Sequence, residues 1–232
     1  MKVKLLKYTP NPEKVCAAAA MTSYKSEGTS EILEKLDLEK ARETLRKVMG
    51  YGHYSVIEHA SFTFSVEGVS RALTHQLVRH RLASYTQQSQ RYVTYETLEH
   101  YVTPKSILKN EEAKKIYDDA LMSISDTYQK LLKHGVPKED ARFVLPNAAK
   151  TNILITMNAR ELRHFLNLRC CVRSQWEIRE MAMEMLKQLK QVAPAIFENA
   201  GPSCVELGYC PEGALKPPTC KIEEIKRKFK EL

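Results

Sequence analysis

The chemistry-bearing residues of this chain crowd into one segment, RHRLASYTQQSQRY, from Arg79 to Tyr92. Arg79, His80 and Arg81 precede a run of hydroxyl and amide groups, Ser84 through Gln90, and Arg91 follows. The charge bias extends further: from Gly68 to Tyr95 there is no Asp or Glu, while Arg71, Arg79, Arg81 and Arg91 all lie inside. Surfaces normally intersperse signs, so a cationic stretch without acids points to counter-charges supplied by a ligand. Arginine suits a phosphate or carboxylate because its planar fork binds bidentately and stays charged. The neutral donors and acceptors beside it are of the kind that orient a sugar or a base. The segment therefore reads as a cradle for a phosphorylated, heterocyclic ligand.

Several elements must position that cradle. Leu38 to Met49 has an amphipathic helical pattern, with Leu38, Ala41, Leu45 and Val48 on one stripe and Gly50 as its stop. Ser61 to Val66 alternates and predicts a half-buried strand. Ser70 can cap a following helix on which Gln76, Arg79 and His80 share a face. Tyr92 to Tyr95 predicts another strand, after a polar connection from Ser84 to Arg91. A long helix runs from Glu111 to His134, striped by Ala113, Tyr117, Ala120, Ile124, Tyr128 and Leu131, and a short one from Pro137 to Phe143. Thr151 to Met157 is strand-like and leads into NARELRHFLNLR, where Asn158 and Glu161 form a capping-box pattern. On that helix Arg160, His164 and Asn167 share a face, opposite Leu162, Phe165 and Leu166, and Arg163 reads as a surface charge. Ser174 with Glu177 predicts a second capping box, and Ile178, Ala182, Met185, Leu189 and Val192 form the buried stripe of the helix it starts. The predicted fold is α+β, a central antiparallel sheet packed by long helices in a single domain over residues 1–232. Residues 201–232 form an irregular tail with a short basic helix.

The 232 residues carry a net charge of +8, which favours anionic partners but does not choose among nucleic acids, nucleotides and phosphorylated metabolites. No run is long and apolar enough to span a bilayer and no signal peptide is evident, so the expected location is the cytoplasm. Of the six cysteines, Cys204, Cys210 and Cys220 are too loosely spaced for a zinc knuckle, and no metal is expected.

The motif resembles the signature of the flavin-dependent thymidylate synthases: Arg-His-Arg, seven residues, then Ser, here Arg79-His80-Arg81 and Ser89. EHASFTF at Glu58–Phe64 and NARELRHFLNLR at Asn158–Arg169, followed by SQWEI, resemble the family's flanking segments in the same order. The resemblance implies a homotetramer with active sites shared between subunits. Its implied activity is the conversion of dUMP to dTMP with FAD, NADPH and methylenetetrahydrofolate. Carried over position by position, it assigns Arg79, His80 and Arg81 to FAD, joined by Ser61, Gln87, Asn158, Arg160 and His164, with His59 near the flavin and folate pocket. It assigns Gln76 and Arg79 to dUMP from one subunit, and Gln87, Gln88, Ser89, Gln90 and Arg91 from a neighbour, with Arg142 at the phosphate. Arg169 matches the arginine at the pyrimidine edge that favours ionisation at N3, a charge-stabilising role. Thr86 and Gln87 depart from the commonest pattern, which has Asn or Ser and then Glu; a Gln still hydrogen-bonds but brings no charge.

Two other functions would use these residues differently. An RNA- or DNA-binding module would place Arg71, Arg79, Arg81 and Arg91 on phosphates and stack bases on Tyr85 or Tyr92. A cysteine-dependent thymidylate synthase needs a nucleophilic Cys after Pro, and no cysteine here follows a proline.

Overall fold

The computed structural model describes residues 1–232. In chain order the elements are β1 (Lys2–Tyr8), α1 (Pro12–Thr22), α2 (Thr29–Lys35), α3 (Leu38–Gly50), β2 (Ser61–Ser70), α4 (Arg71–Leu77) and β3 (Ala83–Gln87). Then come α5 (Lys105–Leu108), α6 (Glu111–Lys133), α7 (Lys138–Ala141), β4 (Lys150–Asn158), α8 (Ala159–Arg169) and α9 (Trp176–Val192). Three short helices close the chain: α10 (Pro194–Phe197), α11 (Ser203–Leu207) and α12 (Ile222–Lys230). The four strands form one sheet in the order β1-β2-β4-β3. This is the mixed helix and antiparallel-sheet architecture that the sequence predicts.

The chain divides into two compact units, each discontinuous in sequence. The first comprises Met1–Lys2, Val66–Arg79 and Thr86–Ile153; the second comprises Val3–Ser65, His80–Tyr85 and Leu154–Leu232. In the second unit Phe62 and Phe64 of β2 point inward with no exposed surface, as the alternation requires. Phe62 meets Phe197 edge to face at 5.5 Å. Burying a side chain of this size contributes about 1.5–3 kcal/mol. Edge strand β1 is held along part of its length by α9: Leu5 N donates to Gln188 Oε1 at 2.7 Å, and Gln188 Nε2 donates to the Val3 carbonyl at 3.0 Å. Those bonds occupy backbone groups that an open edge would otherwise present. In the first unit a buried cluster of Tyr95, Tyr101, Leu121, Tyr128, Ala141 and Ala149 forms the core.

Several boundaries differ from the sequence reading. Tyr92–Tyr95 is not a strand. Tyr92 N and Val93 N both turn back to the Ser89 carbonyl, and Tyr95 is drawn into the tyrosine cluster with its hydroxyl on the Lys150 carbonyl at 2.8 Å. The strand lies earlier, inside the supposed polar connection, where Ala83, Tyr85 and Gln87 alternate with the more exposed Ser84 and Thr86. Helix α4 stops at Leu77, because Arg79 N closes a tighter turn on the Gln76 carbonyl; Arg79 and His80 therefore share no helical face with Gln76. On α6 the buried line is Leu121, Ser125 and Tyr128, and Ala120 is exposed. Gln175, not Ser174, caps α9, its Oε1 accepting from Glu177 N and Ile178 N. Ser174 instead donates to the Leu168 carbonyl.

Arg163 is buried, contrary to its reading as a surface charge. Its Nη1 donates to the Ile196 carbonyl at 2.7 Å and its Nη2 pairs with Glu206 at 3.0 Å. The guanidinium carbon lies 5.3 Å from the centre of the Tyr54 ring.

Candidate active site

In the second unit, a backbone hydrogen bond at 2.8 Å from Ala159 N to the Ala60 carbonyl joins the strand entry to the start of α8. His59 and Ser61 flank one end of that bond; Asn158 and Arg160 flank the other. Four of the expected flavin residues are thereby brought together from segments far apart in sequence. Asn158 caps α8, its side chain accepting from Glu161 N at 2.9 Å. Arg160 pairs with Glu58, and His59 is exposed.

One α-helical turn further along, the side chains close around His80, which is buried although its neighbours Arg79 and Arg81 are exposed. Its Nδ1 lies 3.3 Å from Glu161 Oε1, and Arg169 Nε donates to its Nε2 at 3.0 Å. The ring of His164 stands 5.7 Å away and that of Phe165 5.0 Å away, both edge to face. Tyr85 reaches the same place from β3, its hydroxyl donating to the His80 carbonyl at 2.8 Å. Burial, then the nearby Arg169 and His164, pull the His80 pKa down to about 4, so the imidazole is neutral at pH 7. Burial raises the Glu161 pKa, with His164 opposing, and lowers that of Arg169.

The first unit carries the other expected residues. Gln87 Nε2 donates to Thr74 Oγ1 at 3.1 Å and to Thr151 Oγ1 at 3.3 Å, which spends its amide on the protein and fixes its orientation. Gln88 N donates to the Asn152 carbonyl at 2.8 Å, anchoring the polar run to β4. The Ser89 hydroxyl accepts from Arg91 N at 3.2 Å, while Gln76 and Gln90 are half-buried. Arg91 pairs with Glu139 at 2.8 Å, and Arg142 Nε donates to the Glu139 carbonyl at 3.0 Å. Arg91 thus takes its counter-charge from an acid outside the acid-free stretch rather than waiting for a ligand.

Arg71 is a residue that the sequence reading left out of the site. Its Nη2 donates to the Gln88 carbonyl at 3.3 Å, whereas its buried Nε has no hydrogen-bond partner. Burial and the nearby Arg142 lower its pKa, with Tyr95 opposing. Two cations held close enough to repel each other, one with an orphaned donor, leave positive charge there that the protein itself does not neutralise. The available signal was the position of Arg71 inside the acid-free stretch. A nucleic-acid stripe is not what forms here: Arg71 turns in to Gln88 and Arg91 is bound to Glu139.

A cleft of ≈ 520 Å³ elsewhere in the second unit is lined by Arg46, Tyr54, Arg163, Glu198 and Glu206, among others. Its cations are matched by its own carboxylates, so it offers no excess charge to an anionic ligand.

Comparison with known proteins decides the family. The family model described as "Thymidylate synthase complementing protein" matches residues 4–195. The chain belongs to this family. One relative, the flavin-dependent thymidylate synthase of Geobacter sulfurreducens, is 53% identical over 100% of this chain and 99% of its own. Another, from Pyrococcus abyssi, is 47% identical over 95% of this chain and 93% of its own. Among solved structures, the flavin-dependent thymidylate synthase of Helicobacter pylori, complexed with FAD and dUMP, superposes with a TM-score of 0.71 at 26% identity. That match covers 87% of this chain and 100% of that one. Of the residues that the resemblance assigns, His59, Ser61, His80, Arg81, Asn158, Arg160, His164 and Arg169 lie in the second unit, and Gln76, Arg79, Gln87 to Arg91 and Arg142 in the first.

Proposed function

We propose that this protein is a flavin-dependent thymidylate synthase, converting dUMP to dTMP with FAD as bound cofactor. The reading is carried by one coincidence. A chain matched end to end by a synthase of that name also has, in its second unit, His59 and Ser61 beside Asn158 and Arg160 across the Ala159–Ala60 backbone bond, which supports the flavin assignment. The donor set fits two phosphorylated ligands: Arg79 and Arg81 are exposed without a carboxylate partner, and Arg71 Nε is buried without one. Bringing two such ligands close requires several cations, or their repulsion would expel one.

His59, Ser61, His80, Arg81, Asn158, Arg160 and His164, with Arg79 and Gln87, would hold FAD. Gln76, Arg79, Gln87, Gln88, Ser89, Gln90, Arg91 and Arg142 would hold dUMP, and Arg71 joins Arg142 as a phosphate ligand. The reduced flavin, when bound, supplies hydride. Arg169 provides a fixed cation for negative charge developing on the pyrimidine, held by a neutral imidazole that does not compete for that charge. No cysteine nucleophile is required: burial pushes the Cys170 thiol up to about 12, which keeps it protonated although it adjoins Arg169.

NADPH and methylenetetrahydrofolate are the co-substrates, the assembly is a homotetramer with shared sites, and the location is the cytoplasm. Support for subunit contacts comes from large exposed apolar side chains: Val78, Leu82 and Tyr92 in or next to the motif, and Phe143 after Arg142. No helix is long and apolar enough to cross a membrane.

The test is stoichiometric FAD binding, followed by dTMP formation from dUMP, methylenetetrahydrofolate and NADPH. Arg169→Ala is expected to keep FAD and lose product formation by about 10²–10³-fold, the usual effect of deleting a charge-stabilising donor. A colourless protein without FAD affinity, binding RNA tightly and salt-sensitively, would overturn the reading.

A further inference from the structure

Glu161 stands at the third position of α8, where a glutamate ordinarily reaches back to the backbone of the cap residue. Here it does not. Asn158 already caps the helix through its own side chain, and the Glu161 carboxylate turns to His80 instead. The carboxylate is only 7% exposed, and burying a charge costs several kcal/mol unless it is paired and hydrogen-bonded. Helix capping therefore does not explain why this carboxylate is buried.

The hydrogen bonds define a direction. An arginine Nε–H can only donate, so His80 Nε2, which receives it, must be the unprotonated nitrogen. The ring proton is then assigned to Nδ1, which donates to Glu161 Oε1. A chain of three side chains results: a carboxylate, a neutral imidazole locked in one tautomer, and a guanidinium. Glu161 and Arg169 sit on the same helix, yet the imidazole linking them comes 89 residues earlier than Arg169 in the sequence. The carboxylate orients the imidazole and leaves its other nitrogen as a strong acceptor, which fixes the plane of the arginine. The groups facing His80 are Glu161, His164 and Arg169 from α8 and Tyr85 from β3.

We propose that Glu161 is a positioning residue: by fixing the His80 tautomer it orients the Arg169 guanidinium for its work on the pyrimidine. This rests on the role of Arg169 proposed above. It adds a residue that touches neither nucleotide nor flavin but sets the turnover of the enzyme.

The experiment pairs kinetics with nitrogen NMR of histidine-labelled holoprotein. The wild-type His80 ring should show the Nδ1–H tautomer at neutral pH. Glu161→Gln should scramble that tautomer and lower kcat by about 10–100-fold, the scale found when an orienting carboxylate is lost, with little change in KM for dUMP. Because His80 is also assigned to FAD, kcat is compared at saturating FAD. Arg169→Ala offers a second reading that does not depend on Glu161→Gln folding: with the Glu161 carboxylate still accepting from Nδ1, His80 should keep the Nδ1–H tautomer. A wild-type His80 in the Nε2–H form, or loss of the Nδ1–H form in Arg169→Ala, would overturn the inference. So would wild-type kcat in a folded Glu161→Gln protein. Failure of the functional reading looks different, since the wild-type protein would then make no dTMP while the tautomer results stood.

Discussion

Replacing Arg163 by alanine separates what the sequence suggests from what the fold does with that residue. A surface arginine costs almost nothing to remove, but this one is buried with its fork divided between the Ile196 carbonyl and Glu206. A hydrogen bond from a charged donor contributes about 1.5–3 kcal/mol, and truncation leaves the carbonyl without it. The Glu206 side chain retains 27% exposure, so water partly rescues it and the pair counts for less than a fully buried one. Loss of the contact over Tyr54 adds about 0.5–1 kcal/mol. The expected cost is about 3–4 kcal/mol, near the low end for breaking a buried pair. For a chain of this size that corresponds to roughly 10 °C in Tm. The assay is urea unfolding of the holoprotein at fixed concentration, followed by circular dichroism. Arg173→Ala, which removes a half-exposed ion pair with Glu212, serves as control and should cost less than about 1 kcal/mol. If Arg163→Ala matches the control at unchanged m-value, the reasoning about this buried fork is wrong.

Two further outcomes are expected. A β-carbon added at Gly201 would lie 2.7 Å from Phe229 Cδ1, so Gly201→Ala should lever the α12 phenylalanine out of its buried seat. Limited proteolysis should then cut residues 208–221 faster, as it should in Phe229→Ala; unchanged resistance in both would refute this account of the tail. His80 has a folded pKa of about 4, below its ordinary value, so its contribution to stability is complete above about pH 6.5. That contribution is lost as pH falls through about 4, at up to ~1.4 kcal/mol per pH unit. The raised Glu161 pKa acts in the opposite sense, so the informative quantity is the difference in acid sensitivity between wild type and His80→Asn. Equal slopes for the two proteins between pH 6.5 and 4 would show that His80 is not buried neutral.

Much of the fold was legible because its signals are local. The Phe62, Phe64, Val66 alternation, the Asn158 cap and the α9 stripe each depend on residues within a few positions of one another. Where the reading failed, a distant partner decided. Tyr95 left its expected strand for a cluster with Tyr101 and Tyr128, and Ala83–Gln87 became an edge strand whose alternation is written partly in polar residues. Arg163 and Ser174 have the local pattern of exposed positions, but the Ile196 and Leu168 carbonyls claimed them.

The same division holds at the site. The sequence by itself determined which groups are available: the arginines of an acid-free stretch, the hydroxyl and amide run, and the distant NARELRHFLNLR segment that, with the first motif, marked the family. Chemistry of this kind is carried by residue type and short spacing, so it survives without coordinates. Only the tertiary structure decided which cations are already neutralised, with Arg91 on Glu139 and Arg160 on Glu58, and which lack a carboxylate, as at Arg79 and Arg81. It also decided that Glu161 serves His80 rather than its own helix end, and that His80 serves Arg169. Those assignments depend on burial and on hydrogen bonds of a few ångströms between residues dozens of positions apart, a distance that no local pattern encodes.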